Sequence, residues 1–388
     1  MTVAWVALAT CLALLAWTYA GYPVWLWLLA RVAPRPLAKR RWQPQVSVCM
    51  AVHDGMAHLD AKIDGLLAHD YPAEKLELVV VSDGSTDGTG ARLRQRASER
   101  VVAVDVPVRR GKTACLADAI ARARGEVLVF TDVRQRLAPG SVQALCDALA
   151  SGELAAVSGL LRLEDVNGYA QAVDAYWAYE TFIRRAEAAT GSVVGVSGAL
   201  YAVRRADMPL LPPGLVLDDV WVPLRIAAAG GRIGLEPAAI AFDRASPTAA
   251  VESARKRRTL AGNWQLLAQW PAVAIPGRHP LAWRFIQHKL LRLLAPAFLF
   301  GAFLANLALL GQGALAQGLF AAQLLAYAGA LAGWRWPALR RLRLVKLASA
   351  FLEMNVYAAL GFVDFLRSRD AHLWSPVPSA LPPSPRRP

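Results

Sequence analysis

The sequence predicts an α/β protein whose mixed, mostly parallel sheet is joined to transmembrane and interfacial helices. Two observations carry that expectation. From residue 45 to residue 250, short runs rich in β-branched residues alternate with helix-like stretches, the pattern of a sheet covered on both faces. Long apolar runs with basic clusters beside them lie at both ends. They account for a hydrophobic content of 55% in a chain of 388 residues, above the ~45–50% usual for a soluble domain.

Residues 3–30 carry no charge, and a bilayer needs only ~20 apolar residues. The positive residues follow this run: Arg31, Arg35, Lys39, Arg40 and Arg41. A cleaved secretory signal has its charges first and a shorter apolar core. Residues 1–32 therefore read as an uncleaved span, with its N-terminus outside and residue 31 onward in the cytoplasm. The expected location is the plasma membrane or inner membrane, multi-pass. The net charge of +14 follows the same positive-inside bias. The basic clusters hug the apolar runs and no nucleic-acid motif accompanies them, so nucleic acid is not an expected partner. Of the four cysteines, Cys49, Cys115 and Cys146 sit in apolar settings without metal-ligand spacing, and read as buried thiols.

A proline-bearing linker (Pro34, Pro36, Pro44) leads into the domain spanning 45–250. Its first strand, 45–52, ends in the loop His53-Asp54-Gly55, and a helix is expected over 59–67. The second strand, 75–81, breaks into Asp83-Gly84-Ser85-Thr86-Asp87-Gly88, which is turn chemistry, before a helix over 91–100. The third strand, 101–106, leads to the loop Arg109-Arg110-Gly111-Lys112 and a helix over 113–124. The fourth, 126–131, runs into Asp132. Beyond it lie a helix (139–150), a strand (155–163), a long helix (169–189) and a glycine-punctuated loop and strand (192–203). Leu217-Asp218-Asp219 then precede a helix over 220–229, and 232–242 is extended. In such sheets ligands gather outside the carboxyl ends of the strands, where Asp54, Asp83 and Asp132 fall. Each aspartate alone reads equally well as a turn or helix cap.

Residues 251–289 are basic, with Trp264, Trp270 and Trp283 interspersed, which suits helices lying on a membrane surface. Three apolar segments fill 290–366: residues 290–310, 314–334 and 345–366. Arg340, Arg341, Arg343 and Lys346 mark the connection before the third as cytoplasmic. Counting spans puts the tail outside, whereas Arg367, Arg369, Arg386 and Arg387 oppose that side, so the last segment reads as spanning, re-entrant or interfacial. Residues 367–388 are Pro-rich and expected to be disordered.

Taken in order, VSVCMAVHDG, VVVSDGSTDGT, RRGKTACLADAI, VLVFTD, VGVSGALYAVRR and LDDVWVPLR resemble the successive motifs of family-2 glycosyltransferases. The resemblance covers roughly 45–300. It is strongest to the membrane-embedded branch that includes hyaluronan, chitin, cellulose and poly-N-acetylglucosamine synthases. It implies a GT-A nucleotide-diphospho-sugar transferase fold. It also implies an inverting hexosyl transfer from a UDP-sugar or other nucleotide-sugar to a glycan or lipid-linked acceptor, in surface or exopolysaccharide synthesis. Ala51, Asp54 and Asp83 would border the nucleotide, with Asp83 on the base. Lys112 and Arg258 would meet the diphosphate, and Asp132 would hold Mg²⁺ or Mn²⁺. Asp219 would be the general base, oriented by Asp218, and Gly198 would lie on the acceptor side. Two departures stand out. Arg134 replaces the second Asp of the family's Asp-x-Asp, so either Asp132 holds the ion alone or Arg134 supplies part of the charge. Arg255 and Thr259 replace the Gln and Trp of the polymerases' Gln-x-x-Arg-Trp, with Trp264 as a substitute platform under the acceptor. So few spans make a poor channel in one chain, which points to self-association or a secretion partner subunit, with membrane lipids as further expected partners. The competing expectation is a catalytically inactive nucleotide-sugar-binding subunit of a polysaccharide secretion complex. A dehydrogenase is disfavoured, because the first strand is followed by His53-Asp54-Gly55-Met56 and not by a glycine-rich dinucleotide loop.

Overall fold

The computed structural model describes residues 2–164, 170–244, 248–367 and 373. The Pro-rich tail anticipated over 367–388 lies almost wholly outside the described residues. The chain begins with one continuous helix, Thr2–Val32. Within it, α1 (Thr2–Ala16) and α2 (Tyr22–Val32) are joined by a five-residue π segment, Trp17–Gly21.

The parallel half of the sheet follows. It consists of β1 (Val46–Val52), α3 (Met56–Leu67), β2 (Leu76–Asp83), α4 (Thr89–Gln95), β3 (Val101–Val106), α5 (Lys112–Arg122) and β4 (Val127–Phe130). Every residue of β1, β2 and β4 is buried, which is why these strands read as unbroken apolar runs. The second half consists of β5 (Arg136–Leu137), α6 (Ser141–Leu149), β6 (Leu154–Glu164), α7 (Ala170–Ala189), β7 (Tyr201–Arg204), α8 (Asp218–Ala228) and β8 (Arg232–Arg244). The strand order is β3-β2-β1-β4-β7-β6-β8-β5. Pairs among β1 to β4 are parallel, as is β6 with β8, whereas β7 runs antiparallel to both β4 and β6. Alternate residues of each central strand feed two cores. Cys49, Val79 and Phe130 pack on the side of α5 and α8, and Val48, Val80 and Val129 pack on the side of α3 and α6.

Two boundaries differ from expectation in ways that matter for the site. β2 continues to Asp83, because Ser82 and Asp83 keep pairing with Asp105 and Val106 of β3. Asp83 is thus a strand residue and not a loop residue. α8 begins at Asp218, two residues early, so both aspartates lie in its first turn. The short β5 was not anticipated; a two-residue strand has no periodicity of its own and exists by pairing with β8.

The remainder is helical: α9 (Ala249–Gln269), α10 (Ala282–Phe285), α11 (Leu291–Ala308), α12 (Ala314–Arg335) and α13 (Arg343–Arg367). α10 runs through a π segment, Ile286–Leu290, directly into α11, making one helix Ala282–Ala308. The boundary expected between residues 289 and 290 therefore falls inside a single helix. Among the described residues, four helices are long and apolar enough to cross a membrane: Thr2–Val32, Ala282–Ala308, Ala314–Arg335 and Arg343–Arg367. The basic α9 does not stand alone, because α13 packs along it. Gly361 lets the two backbones approach: a Cβ there would lie 2.8 Å from Leu260 Cβ and 3.1 Å from the Arg257 carbonyl. Arg257 clamps Asp364 with two hydrogen bonds, Nε at 2.8 Å and Nη2 at 2.6 Å. Gly361→Leu is expected to destabilise the protein by about 1–3 kcal/mol through overpacking. Thermal unfolding in detergent checks this, and an unchanged midpoint would mean the helices are not in close contact.

Candidate active site

Because β1, β2 and β4 are parallel neighbours, their carboxyl ends share one edge of the sheet. That edge gathers Asp54 beyond β1, Asp83 ending β2 and Asp132 beyond β4. β7 runs the other way, so the loop leading into it, residues 192–200, arrives at the same edge. The topology alone thus brings together residues from four separate parts of the chain.

Asp83 is fully buried. Its two carboxylate oxygens accept hydrogen bonds from the backbone N–H of Arg110 (2.6 Å) and Gly111 (3.0 Å). Those bonds hold the loop between β3 and α5 against the end of β2. Gly84 makes the close approach possible: its φ is +56°, and a Cβ would lie 2.5 Å from the Arg109 nitrogen. Asp54 also adopts a left-handed conformation, φ +45°. Its carboxylate accepts from the Thr86 N–H at 2.7 Å, tying the two loops together. Ala51 is buried within β1, opposite Val81 of β2.

Gly111 precedes α5, which makes Lys112 the first residue of that helix. Its ammonium lies 3.1 Å from Asp132 and 3.4 Å from Asp218, bridging two elements far apart in sequence. Burial works against the charge on Lys112, but Asp132, Asp218 and Asp219 outweigh it and hold the pKa above its ordinary value. Asp218 is buried and also accepts a hydrogen bond from the Tyr201 hydroxyl at 3.4 Å. Asp132 is more open, with its side chain 41% exposed, so a ligand can reach it.

Asp219 is half-buried, and its carbonyl accepts the Val196 N–H at 2.9 Å. Burial, reinforced by the charge of Asp218, pushes its carboxyl pKa up to about 6; Lys112 opposes the rise. Gly198 lies directly against this carboxylate, where a Cβ would be 3.3 Å from Oδ2. Arg258 of α9 faces the same carboxylates. Burial lowers its pKa, while Asp218, Asp219 and Asp132 support its charge. The structure therefore brings Lys112, Asp132, Gly198, Asp218, Asp219 and Arg258 together, with Ala51, Asp54 and Asp83 along the adjoining edge.

Two expectations about neighbouring residues need correction. Arg134 does not aim at this centre: its guanidinium pairs with Asp243 of β8 at 2.6 Å, and Gln135 donates to the same carboxylate. Trp264 packs on Phe362 of α13, ring centroids 5.0 Å apart, which turns it to the side of α9 that meets α13. Its ring is engaged in helix packing there.

Mg²⁺ or Mn²⁺ would find one carboxylate at the expected place, Asp132, because the partner position is Arg134. Among the described residues, no group of three or more His, Cys, Asp and Glu side chains could hold an ion. A hard cation that takes a single protein carboxylate and completes its shell with phosphate oxygens and water fits this arrangement.

The profile described as glycosyl transferase family 2 matches residues 47–208, and that of glycosyl transferase family group 2 matches residues 129–334, more than half of the chain. The chain belongs to glycosyl transferase family group 2. The mannosyltransferase PcManGT from Pyrobaculum calidifontis, solved in complex with GDP-Man and Mn²⁺, is similar over 93% of this chain and 99% of its own, with a TM-score of 0.70 and 25% identity. The fold is thus GT-A, and the likeness runs beyond the catalytic domain. Probable glycosyltransferase YdaM of Bacillus subtilis (strain 168) is 24% identical over 243 residues, covering 59% of this chain and 57% of YdaM. Beta-monoglucosyldiacylglycerol synthase of Synechocystis sp. (strain ATCC 27184 / PCC 6803 / Kazusa) is 23% identical over 201 residues, covering 50% of this chain and 42% of the synthase. The chain thus spans about half the length of these two relatives.

Sequence reasoning missed Tyr201, which reaches Asp218, and Lys62, a buried amine that donates to Thr131 Oγ1 (2.9 Å) and the Gln135 carbonyl (2.6 Å) beneath Asp132. Neither carries a motif signal; only the fold shows what they touch. The pinning role of Asp83 can be tested directly. Asp83→Ala leaves the buried Gly111 N–H without an acceptor, at about 1–3 kcal/mol, and frees the partly buried Arg110 N–H at a smaller cost. It is expected to lower thermal stability and weaken nucleotide binding, with Asp83→Asn in between. Parent-like melting of Asp83→Ala would refute the pinning.

Proposed function

We propose that this chain is an inverting, metal-assisted hexosyltransferase that works at a membrane surface. Its donor is a nucleotide-diphospho-sugar, with a UDP-sugar as the first candidate and a GDP-sugar as the second. Its acceptor is a hydroxyl on a lipid-linked or glycan molecule destined for the cell surface. The observation that carries this reading is the carboxylate pair at the start of α8. One member, Asp218, is engaged by Lys112 and Tyr201, while the other, Asp219, has its pKa lifted to about 6 and faces the loop at Gly198.

Asp219 takes the proton of the acceptor hydroxyl as that oxygen attacks the anomeric carbon. The bond between that carbon and the diphosphate oxygen breaks on the opposite side, which inverts the configuration. Lys112 and Arg258 meet the charge left on the diphosphate. The ion, when bound at Asp132, offsets further charge on that leaving group. Asp54 and Asp83 set the loops that border the base and ribose. Single addition is favoured over polymerisation, since Trp264 is engaged by Phe362 and residue 259 is a threonine whose hydroxyl bonds the Arg255 carbonyl. The catalytic domain lies on the cytoplasmic side in this reading, as the basic clusters require.

Two outcomes test it. Asp219→Asn is expected to cut transfer by about 10²–10⁴-fold while nucleotide binding stays near the parent value, as read by nucleotide release and titration calorimetry. Equal turnover in variant and parent would remove Asp219 as the base. The base must be ionised to act, so kcat/KM should fall as pH drops below about 6. A flat profile down to pH 5 contradicts the assignment, and tight nucleotide binding with no turnover of any donor would favour an inactive binding subunit.

A further inference from the structure

A second charged cluster is built from α7 and the helix Ala282–Ala308. Glu180 is shared by His288 Nε2 (3.0 Å), Arg292 (2.9 Å), Arg184 (3.3 Å) and Lys289 (3.9 Å). Glu187 accepts from the Tyr22 hydroxyl at 2.8 Å and faces His288 Nδ1 at 2.8 Å. The fixed charges do not balance. Two carboxylates face Arg184, Lys289 and Arg292, and also Arg284, whose guanidinium donates only to oxygens of Glu187, Thr190 and Ser192 at the backbone and to the Thr190 hydroxyl.

Segment 192–198 connects this cluster to the base. The Val194 N–H donates to Glu187, the Val196 N–H to the Asp219 carbonyl, and Gly198 touches the Asp219 carboxylate. The charges of Arg184 and Lys289 reach Asp219, where both pull its pKa down against burial. Their side chains are 16% and 18% exposed, so neither is sealed away.

Position along the helix gives the second observation. Lys289 and Arg292 are the last charged residues before an uncharged stretch, 293–310. Trp283, 65% exposed, lies at the start of the same helix, and Trp17 of the first helix bonds Gln287. Tryptophans and the last cations before an apolar run mark the headgroup level of a bilayer.

We infer that Arg184 and Lys289 form the acceptor's anion site: they bind a phosphate carried by an amphiphilic lipid whose headgroup hydroxyl meets Asp219. This rests on the transferase reading above. It adds that the acceptor is an anionic phospholipid and not a neutral one.

The test uses the full-length protein in nanodiscs, with a donor sugar it turns over. Phosphatidylglycerol, diacylglycerol and soluble glycerol 3-phosphate are offered as acceptors, and labelled product is counted. Phosphatidylglycerol is expected to be preferred over diacylglycerol. Lys289→Gln should raise its KM about tenfold, the loss of one charge-assisted contact, with nucleotide affinity retained as a check on folding. Lys289→Arg should restore it. Equal use of the two lipids, or an unchanged KM in Lys289→Gln, overturns the inference while leaving the transferase reading intact. Glycerol 3-phosphate used as well as phosphatidylglycerol overturns the lipid source. Nucleotide binding without release for any acceptor overturns the transferase reading, and this inference with it.

Discussion

The buried carboxylate of Asp83 is the fixed point of the site. It stands at the end of a strand with no exposure, where an unsatisfied charge would be costly. Two backbone N–H groups of the loop before α5 satisfy it, and that contact fixes where α5 begins. Lys112 is the first residue of α5, so its position follows from Asp83. Lys112 in turn sets the spacing between Asp132 after β4 and Asp218 in α8. One buried hydrogen-bonded carboxylate thus controls a chain of contacts across three loops. Asp83 therefore shapes this edge of the sheet through the loop it holds.

The two aspartates of α8 show how neighbours divide roles. They are adjacent in sequence, yet Asp218 points at Lys112 and Tyr201, while Asp219 lies against a glycine. Their mutual repulsion and their burial act on both. Asp218 has a cation within ion-pair distance, and burial together with the charge of Asp218 raises the pKa of Asp219. A carboxylate raised by burial beside a like charge is a general route to a less acidic side chain.

Much of this was legible in the chain. The apolar runs of β1, β2 and β4 are buried on both faces, and strands of that kind declare themselves without alternation. Asp132, Asp218, Asp219 and Lys112 are singled out by the family resemblance, on motifs that lie at element ends; turn and glycine signals alone leave them as caps and solvated charges. What could not be read was direction. Nothing in the Asp-Val-Arg stretch says that Arg134 turns to Asp243, because Asp243 lies on a strand far along the chain. Trp264 looked like a platform by residue type, but six positions along a helix from Arg258 carry it to another face, where Phe362 waits. The cluster around Glu180 was invisible for the same reason: its members come from α7 and a helix about a hundred residues later. Charges within long helices read as solvated faces until the partner element is known.

The helix Ala282–Ala308 is continuous, with His288 and Lys289 in its early turns and an uncharged stretch after them. A helix of this length and composition is able to cross a bilayer, where a mismatch in thickness is relieved by tilt or sliding. A slide of one residue is ~1.5 Å along the axis. The early turns cannot move alone, because His288 is bonded to Glu180 and Glu187 of the catalytic domain. Any shift of this helix along its axis is thereby coupled, through His288, to α7 and to the loop that follows it.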